Sequence, residues 1–582
     1  MNKNDYKWHF YADNNMEREI IDLKYLLRVL AFTLIVSLSS NAQRGHFFTH
    51  ADTLRGTNGP ARSCYDVWFY NLDVKIDPSD QTIKGSNTIT FSVDSPFTVM
   101  QVDLFENMVI EAITLDNGAS LSFSRDSNAT FIRMPTALQK GSDHQISINY
   151  SGKPVIAKNP PWDGGFTWTK DSAGNPWVVV TCQGKGASLW WPNKDHQADE
   201  PDSMMISVTV PKGLIDISNG RLRKTTELPD GWTRFDWFVS YPINNYNVTV
   251  NIGKYAHFSD VYGKNKKLTL DYYVLPENME RAKKQFAQVK PMMAAFEKYF
   301  GPYPFFRDGY KLVECPHTGM EHQSAVAYGN RYLGGYRGHA SSEVGLKFDF
   351  IIIHESAHEW WGNSITAKDV ADMWIHESFG AYAEALYVEY LYGYREALKY
   401  INGKKLNVRN TEPITGIYNV QREGSGDMYD KGQLVLNTLR SVIANDTLWI
   451  SILRGMNEKF RYATVTADDI TGYIGQRTGK DLEYFFDQYL HYPSIPQLDI
   501  WVTSKGGKTT ARYRWNADVK DFRMPVRVTM AVNKFSFIYP TTTWQTMELG
   551  SLPPDKFRVE EDRFYISVKL WLSYSDPKLK EY

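Results

Sequence analysis

Hydrophobic and polar positions alternate along most of the first half of the chain. Across residues 66–252, short runs such as Val67-Trp68-Phe69-Tyr70 and Thr88-Ile89-Thr90-Phe91 are separated by Asp, Ser, Gly and Pro. Period-two patterning between turn residues predicts strands. Helical periodicity is scarce in this stretch, which therefore reads as one large antiparallel β domain. After about residue 260 the period changes. Apolar positions recur at helical spacing over 278–299 in spite of Pro291, and a strand follows near 309–314. Helices are predicted over 342–362, 374–393 and 429–444, and two more over 465–491, with Thr466 and Asp468 near their start. Alternation returns at Gln497-Leu498-Asp499-Ile500-Trp501-Val502 and Pro525-Val526-Arg527-Val528-Thr529-Met530, the pattern of a small β-sandwich. The chain thus divides into a β domain at 43–257, an α-rich domain at 258–492 and a β-sandwich at 493–582, a multidomain α+β architecture.

The first 42 residues stand apart. Lys24 and Arg28 precede an apolar run over 29–38, and Ser40-Asn41-Ala42 places small residues before Gln43. A basic start, a short apolar run and a small-residue cleavage site make an export signal. The run is shorter than the roughly 20 residues a membrane-spanning helix needs. Residues 1–42 are therefore expected to be removed, with Met16 as an alternative start. No stable membrane anchor would remain, and the mature chain would be periplasmic or secreted.

Composition narrows the function classes. Lys+Arg 65 against Asp+Glu 66 gives a formal net charge of −1. A balance so even offers no general electrostatic grip on nucleic acid, which is not expected as a partner. The three cysteines, Cys64, Cys182 and Cys315, show no metal-ligand spacing, although one disulfide among them is compatible with the sequence. Cys315 and His317 could be read as a thiol–imidazole pair on one strand, but nothing nearby supplies an oxyanion hole.

The segment Ile353-His354-Glu355-Ser356-Ala357-His358 is different in kind. It is H-E-x-x-H in an apolar helical setting. One helical turn separates the two histidines, so both project from one face about 6 Å apart along the axis and can take two corners of a zinc tetrahedron. Glu355 lies beside them, placed to hold a water. A catalytic zinc needs a third protein ligand and an open position. Glu377 follows His358 after eighteen residues and opens another apolar helix. Its neighbour His376 would point about 100° away on that helix, and Glu377 is favoured. Two imidazoles and a carboxylate suit one Zn²⁺ per chain. Ligand imidazoles need outer hydrogen-bond partners. Glu384, two helical turns beyond Glu377, is placed to accept from one of them, and Thr366 and Asp372 are weaker candidates.

H-E-x-x-H followed by eighteen residues and Glu resembles the M1 family of zinc aminopeptidases. Thr318-Gly319-Met320-Glu321-His322-Gln323 is similar to the family's G-x-M-E-N signature, and Tyr429-Asp430-Lys431-Gly432 to its Y-x-K-G. Ala187–Asp195 (ASLWWPNKD) and Ser218-Asn219-Gly220 resemble N-terminal landmarks of the family. The resemblance implies a saddle-like N-terminal β domain, a thermolysin-like catalytic domain and a small β-sandwich. The large C-terminal helical domain that many members carry is not expected here. It further implies His354, His358 and Glu377 as zinc ligands, Glu355 as general base and Tyr429 as donor to the oxyanion. Glu321 would bind the substrate α-amine, with Gln183, Gly319 and Met320 also lining the substrate site. Thr318 and His322 depart from the usual Gly and Asn, Ser378 from the glycine after the third ligand, and His376 from an asparagine.

The implied substrates are peptides with free N-termini. The competing readings are a zinc endopeptidase, a hydrolase of a non-peptide electrophile, and an inactive peptide-binding homologue. Glu321 separates the first of these, because an endopeptidase has no use for an amine-binding carboxylate.

Overall fold

The computed structural model describes residues 48–116 and 118–573. The segment read as an export signal lies outside them. The alternation over 66–252 folds into sheets as its period requires. Strand Tyr65–Asp77 turns Tyr65 and Val67 inward and then Tyr70, Leu72, Val74 and Ile76. The change of phase falls at a bulge between Val67 and Phe69, where one extra residue resets which side chains face the core. The strand lies inside an eight-stranded sheet. That sheet is not wholly antiparallel as expected: Tyr65–Asp77 runs parallel to Ser203–Pro211, Phe69 facing Ser203. A long excursion through two further sheets, of four and three strands, separates the two strands in sequence, and a connection of that length permits parallel pairing.

A five-stranded sheet follows, ordered Ala256–Tyr262, Leu268–Val274, Tyr310–Glu314, Val326–Tyr328, Gly319–Met320. Its side chains alternate between two apolar cores. Leu312, Val326 and Tyr328 pack into the helical core, while Val313, Cys315, Met320 and Ala327 pack into the core of the N-terminal sheets. This sheet is therefore a wall shared by both halves, and its edge strand Gly319–Met320 lies at the seam.

The helical half departs from the expected element bounds at two places. The helix read over 278–299 is two, Met279–Phe286 and Val289–Phe300. Pro291 is the third residue of the second, where its missing N–H is one the helix would leave unbonded anyway. The segment read as one helix over 342–362 begins with a 3₁₀ turn, Glu343–Lys347, and becomes α-helical only at Phe350–Ala357. Asp349 sets that start. It is extended, and its carboxylate accepts from the backbone N–H of Ile351 and Ile352. The same carboxylate accepts from Gln285, Tyr328 and Asn330.

Helix Trp374–Tyr392 packs against both Phe350–Ala357 and Asp427–Ile443. Further on, Thr466 caps Ala467–Thr478 through a reciprocal box with Asp469. Residues 497–573 form a four-stranded sheet and a hairpin, Val526–Ala531 with Lys534–Ile538. Their apolar side chains join the helical core. Cys64, Cys182 and Cys315 are all buried and free, so no disulfide forms. Among the described residues, no helix is long and apolar enough to cross a membrane.

Asp349 holds the start of the helix that carries both histidines. Replacing it with Ala removes a cap and leaves the buried Tyr328 hydroxyl without its acceptor, while Gln285 and Asn330 keep backbone carbonyls, and Asp349→Ala is expected to lower stability by about 2 kcal/mol or more in chemical denaturation. A loss below about 1 kcal/mol would mean that packing alone sets the helix start.

Candidate active site

Three helices converge on one point. Phe350–Ala357 supplies His354 and Glu355, with His358 at its C-cap. Trp374–Tyr392 supplies Glu377 and Asp427–Ile443 supplies Tyr429. Trp361 stacks on Phe379 with centroids 4.1 Å apart and planes at 13°, joining the first helix to the second. The second and third touch at Ser378, whose hydroxyl donates to Met428 O at 2.8 Å. A Cβ on Gly432 would lie 2.0 Å from that hydroxyl, so only glycine lets the third helix approach so closely. Lys431, buried, donates to the carbonyls of Tyr492 and Pro493 at 3.0 and 2.8 Å, which fixes Tyr429's helix against the chain leading into the C-terminal sheet.

The three candidate ligands meet. His354 Nε2 lies 3.3 Å from His358 Nε2, and Glu377 Oε2 lies 3.6 and 3.5 Å from them. Donor atoms about 2.05 Å from a tetrahedral zinc lie roughly 3.3 Å apart. Each outer nitrogen is already committed: His354 Nδ1 faces Glu384 Oε1 at 2.7 Å, and His358 Nδ1 lies 2.9 Å from Trp361 O. A proton on each Nδ1 leaves both Nε2 lone pairs turned inward. Glu377 Oε1 accepts from Gln183 at 3.0 Å, whereas its buried Oε2 has no hydrogen-bond partner. An orphaned carboxylate oxygen facing two imidazole lone pairs is a cation site, and the donor set fits zinc.

The electrostatics agree. Glu321, Glu355 and Glu377 are all buried in one cleft. Burial, then Glu377 and Glu355, hold the Glu321 carboxyl well above the usual range. Burial pushes Glu355 up to about 7 against the pull of His354. Burial would also raise Glu377, but His358 and His354 overcome it and hold it down to about 2. Against burial, Glu377 and Glu384 draw His354 well above its usual range. With Glu321 and Glu355 pushed toward their neutral forms, a bound cation would favour the charged forms.

A cavity of ≈ 220 Å³ opens at this point. Glu321, Glu355, Glu377, Gln183, Gly319, Met320 and Tyr429 are among its lining residues. Gly319 is closely packed: a Cβ there would lie 2.7 Å from Ile351 Cγ2 and 2.8 Å from Glu355 Oε1, so a larger residue would displace the Glu355 side chain. Tyr429 stacks near His354, centroids 5.9 Å apart. Burial, Glu377 and Glu321 raise its phenol, so it stays a donor.

Other residues named from sequence go elsewhere. Thr366 donates to Gly362 O at 2.9 Å. Asp372 accepts from Tyr418 and from the backbone of Ala467. Both brace the loop before Glu377's helix rather than a ligand imidazole. His376 Nε2 accepts from Ala367 N at 2.7 Å and is spent there. Burial drives the Cys315 thiol well up and His317 down to about 4, the reverse of a thiolate–imidazolium pair.

Residues 285–489 match the peptidase family M1 domain, and residues 68–246 match the peptidase M1 N-terminal domain. The chain belongs to the M1 peptidase family. Its relatives include a probable aminopeptidase 1 of Saccharolobus solfataricus, 21% identical over 415 residues, covering 68% of this chain and 51% of that protein. A leucyl aminopeptidase of the same organism is 23% identical over 458 residues, covering 74% and 55%. Human endoplasmic reticulum aminopeptidase 1 is 24% identical over 427 residues, covering 69% and 44%. The chain spans about half the length of these relatives. Among solved structures, an M1 zinc metallopeptidase of Deinococcus radiodurans, in a mutant form bound to Tyr-Ser-Ala, superposes with a TM-score of 0.63 at 18% identity. The match covers 75% of this chain and 96% of that one.

In this M1 chain, several site residues were not legible beforehand. Tyr246 donates to Glu321 Oε1 at 3.2 Å. Asn363 donates to Glu321 O and to Glu359 Oε1, and Glu359 also accepts from Ser324 N. Tyr400 donates to Glu384 Oε2, which Lys404 approaches at 3.6 Å. Only Glu359 and Asn363 had a signal, lying within a turn or so of H-E-x-x-H. The others come from segments distant in sequence.

Glu384 orients His354. Glu384→Gln is expected to weaken zinc affinity about 10- to 100-fold in chelator competition. Unchanged affinity would show that the stacking of Phe350 on His354 is sufficient.

Proposed function

We propose that the chain is a zinc aminopeptidase, exported to the periplasm or beyond, that releases single N-terminal residues from peptides. The observation that carries this reading is Glu321. It is a buried carboxylate at the end of a cleft-edge strand, it shares a cavity with His354, His358 and Glu377, and among the described residues its carboxylate has one side-chain partner, the Tyr246 hydroxyl. A charged α-amine is the substrate group that would neutralise it. Export rests on the signal grammar of residues 24–42.

His354, His358 and Glu377 would hold the zinc. When bound, zinc polarises a carbonyl and makes water a better nucleophile at neutral pH. The rest falls to the protein. Glu321 pairs with the substrate ammonium and ends the cleft there, so the first peptide bond is the one presented. The free edge of Gly319–Met320 offers its backbone to the substrate as to an added strand. Glu355, off the ligand set, takes the proton of the attacking water and delivers it to the leaving amine. Tyr429 donates its phenol to the oxygen on which negative charge develops. Gln183, already on Glu377 Oε1, borders both the ligands and the amine.

Three outcomes test this reading. Peptides with free N-termini should lose single residues, N-acetylated twins should resist, and chelation should abolish release until zinc is restored. Internal cleavage of acetylated peptides would establish an endopeptidase instead. Glu355→Gln should reduce turnover by orders of magnitude with zinc retained, and Tyr429→Phe about 10²- to 10³-fold. If Tyr429→Phe keeps more than about half the turnover, the oxyanion role fails.

The pH dependence has a definite sign. Glu355 works as its carboxylate, so activity should fall as the pH drops through its pKa. In the metal-free protein that value is about 7. A nearby dication favours the charged form and moves the limb lower. The acid limb of kcat/KM should therefore have its midpoint below about 7, and a midpoint clearly above it would assign the base elsewhere.

A further inference from the structure

Beside the Thr318 end of the cavity stands Arg337, an exposed cation with no carboxylate partner among the described residues. The direction of a bound peptide follows from the edge strand. Gly319–Met320 pairs with Val326–Tyr328 on one side only, Gly319 with Tyr328 and Met320 with Ala327. Its other edge faces the cavity. On the reading above, Glu321 takes the ammonium. Glu355 stands against Gly319, two residues back. A peptide anchored at Glu321 therefore runs antiparallel to this strand and leaves past Thr318. Extended chain advances about 3.4 Å per residue, so Thr318, in the bend before the two-residue strand, lies no more than about 10 Å from Glu321, within the reach of a tripeptide.

Arg337 is waiting at that end. Its guanidinium donates to the Thr318 hydroxyl and rests near the Tyr336 ring. Neither partner carries charge, and a guanidinium has five N–H donors to place. The arginine is also held there by design of the loop. Its backbone is left-handed, φ 51°, a conformation that costs a side-chain-bearing residue energy unless its surroundings impose it. They do so through Asn330, which accepts from Arg337 N at 2.7 Å and donates to Asp349 Oδ1 at 2.8 Å. The carboxylate that starts the histidine helix thus also fixes Arg337 relative to the site. Lys404 lines the cavity itself, whereas Arg337 reaches it through Thr318 and Tyr336, but Glu384 and Asp430 already take the lysine's charge at 3.6 and 3.4 Å.

We propose that Arg337 binds the C-terminal carboxylate of the substrate, and that the substrates are short peptides, tripeptides above all, with a free C-terminus. Guanidinium and carboxylate match in shape and charge. The inference rests on the aminopeptidase reading for the direction of the substrate.

The test uses the zinc-loaded full chain. The substrate is X-Ala-Ala, where X is the N-terminal residue released fastest, as the free acid and as the C-terminal amide. The free acid should be favoured about tenfold in kcat/KM, through KM, and the preference should shrink as salt is raised. In Arg337→Gln the acid-to-amide ratio should fall to about one, and Arg337→Lys should keep part of it. Because the ratio is taken within one variant, loss of folded protein cancels from it. Equal rates for acid and amide in the unaltered enzyme, or a ratio that survives Arg337→Gln, would overturn the proposal. If neither peptide is cleaved, the aminopeptidase reading fails instead. Calorimetric binding of acid and amide to the Glu355→Gln protein then decides the Arg337 question separately: tighter acid supports it and equal binding refutes it.

Discussion

Negative charge crowded into a buried cleft governs this site. Glu321, Glu355 and Glu377 are each less than a tenth exposed, and buried carboxylates close together cannot all ionise without cations. Among the described lining residues, only His354, which Glu377 and Glu384 draw well above its usual range against burial, offsets part of that charge in the metal-free cleft. Lys404, the one lysine among the cavity's lining residues, is committed to Glu384 and Asp430. The remaining charge is matched by what the site would bind, a metal ion at Glu377 and, on the proposed function, an ammonium at Glu321. Binding and catalysis share this origin, because the same burial that makes the empty site costly strengthens each cation it accepts.

Holding carboxylates in such proximity requires a rigid frame, and the shared sheet provides it. Alternation along Tyr310–Glu314 and Val326–Tyr328 locks one face into each apolar core. The edge strand and the histidine helix then cannot drift apart without opening both cores. Polar ties close the remaining freedom. Asn219 donates to Asn247 O and Gln323 O at 2.9 and 2.7 Å, and Gly220 N to the Ser324 hydroxyl at 2.9 Å. Asn247 reaches Asn363, which holds the Glu321 carbonyl. The motif at 218–220 thus acts at a distance. It sits in the N-terminal half and fixes the residue that would receive the amine. Gly220 has φ 75°, and a Cβ there would lie 2.1 Å from Phe238 O, so the glycine is a condition of that tie.

Periodicity made the layers legible, because burying one face of a strand or helix leaves a record in the sequence. The meeting of the three candidate ligands was legible for a related reason. A helical turn fixes the distance between His354 and His358, and two turns place Glu384 on the face of Glu377. What was not legible is contact between segments without a shared period. Tyr246 on Glu321 and Arg337 on Thr318 join residues 75 and 19 positions apart, and no local pattern encodes either. The bulge after Val67 and the parallel pairing of Tyr65–Asp77 escaped similarly, since each depends on a partner strand. Thr366 and Asp372 were placed wrongly relative to the ligands because proximity in sequence to Glu377 says nothing about where a loop side chain turns.

Ser378 shows how the chain absorbs a departure from its family's usual glycine. A hydroxymethyl at that position would ordinarily keep two helices apart. Here the hydroxyl bonds to Met428 O, and the volume is returned by Gly432, which has no Cβ to meet it. The contact lies one residue from Glu377 and one from Tyr429. A change that enlarged Gly432 would move the phenol away from the ligands before it disturbed either helix. The spacing Tyr429-Asp430-Lys431-Gly432 is then a single device: Lys431 anchors the helix from behind, Gly432 sets how near it comes, and Tyr429 occupies the place these two define.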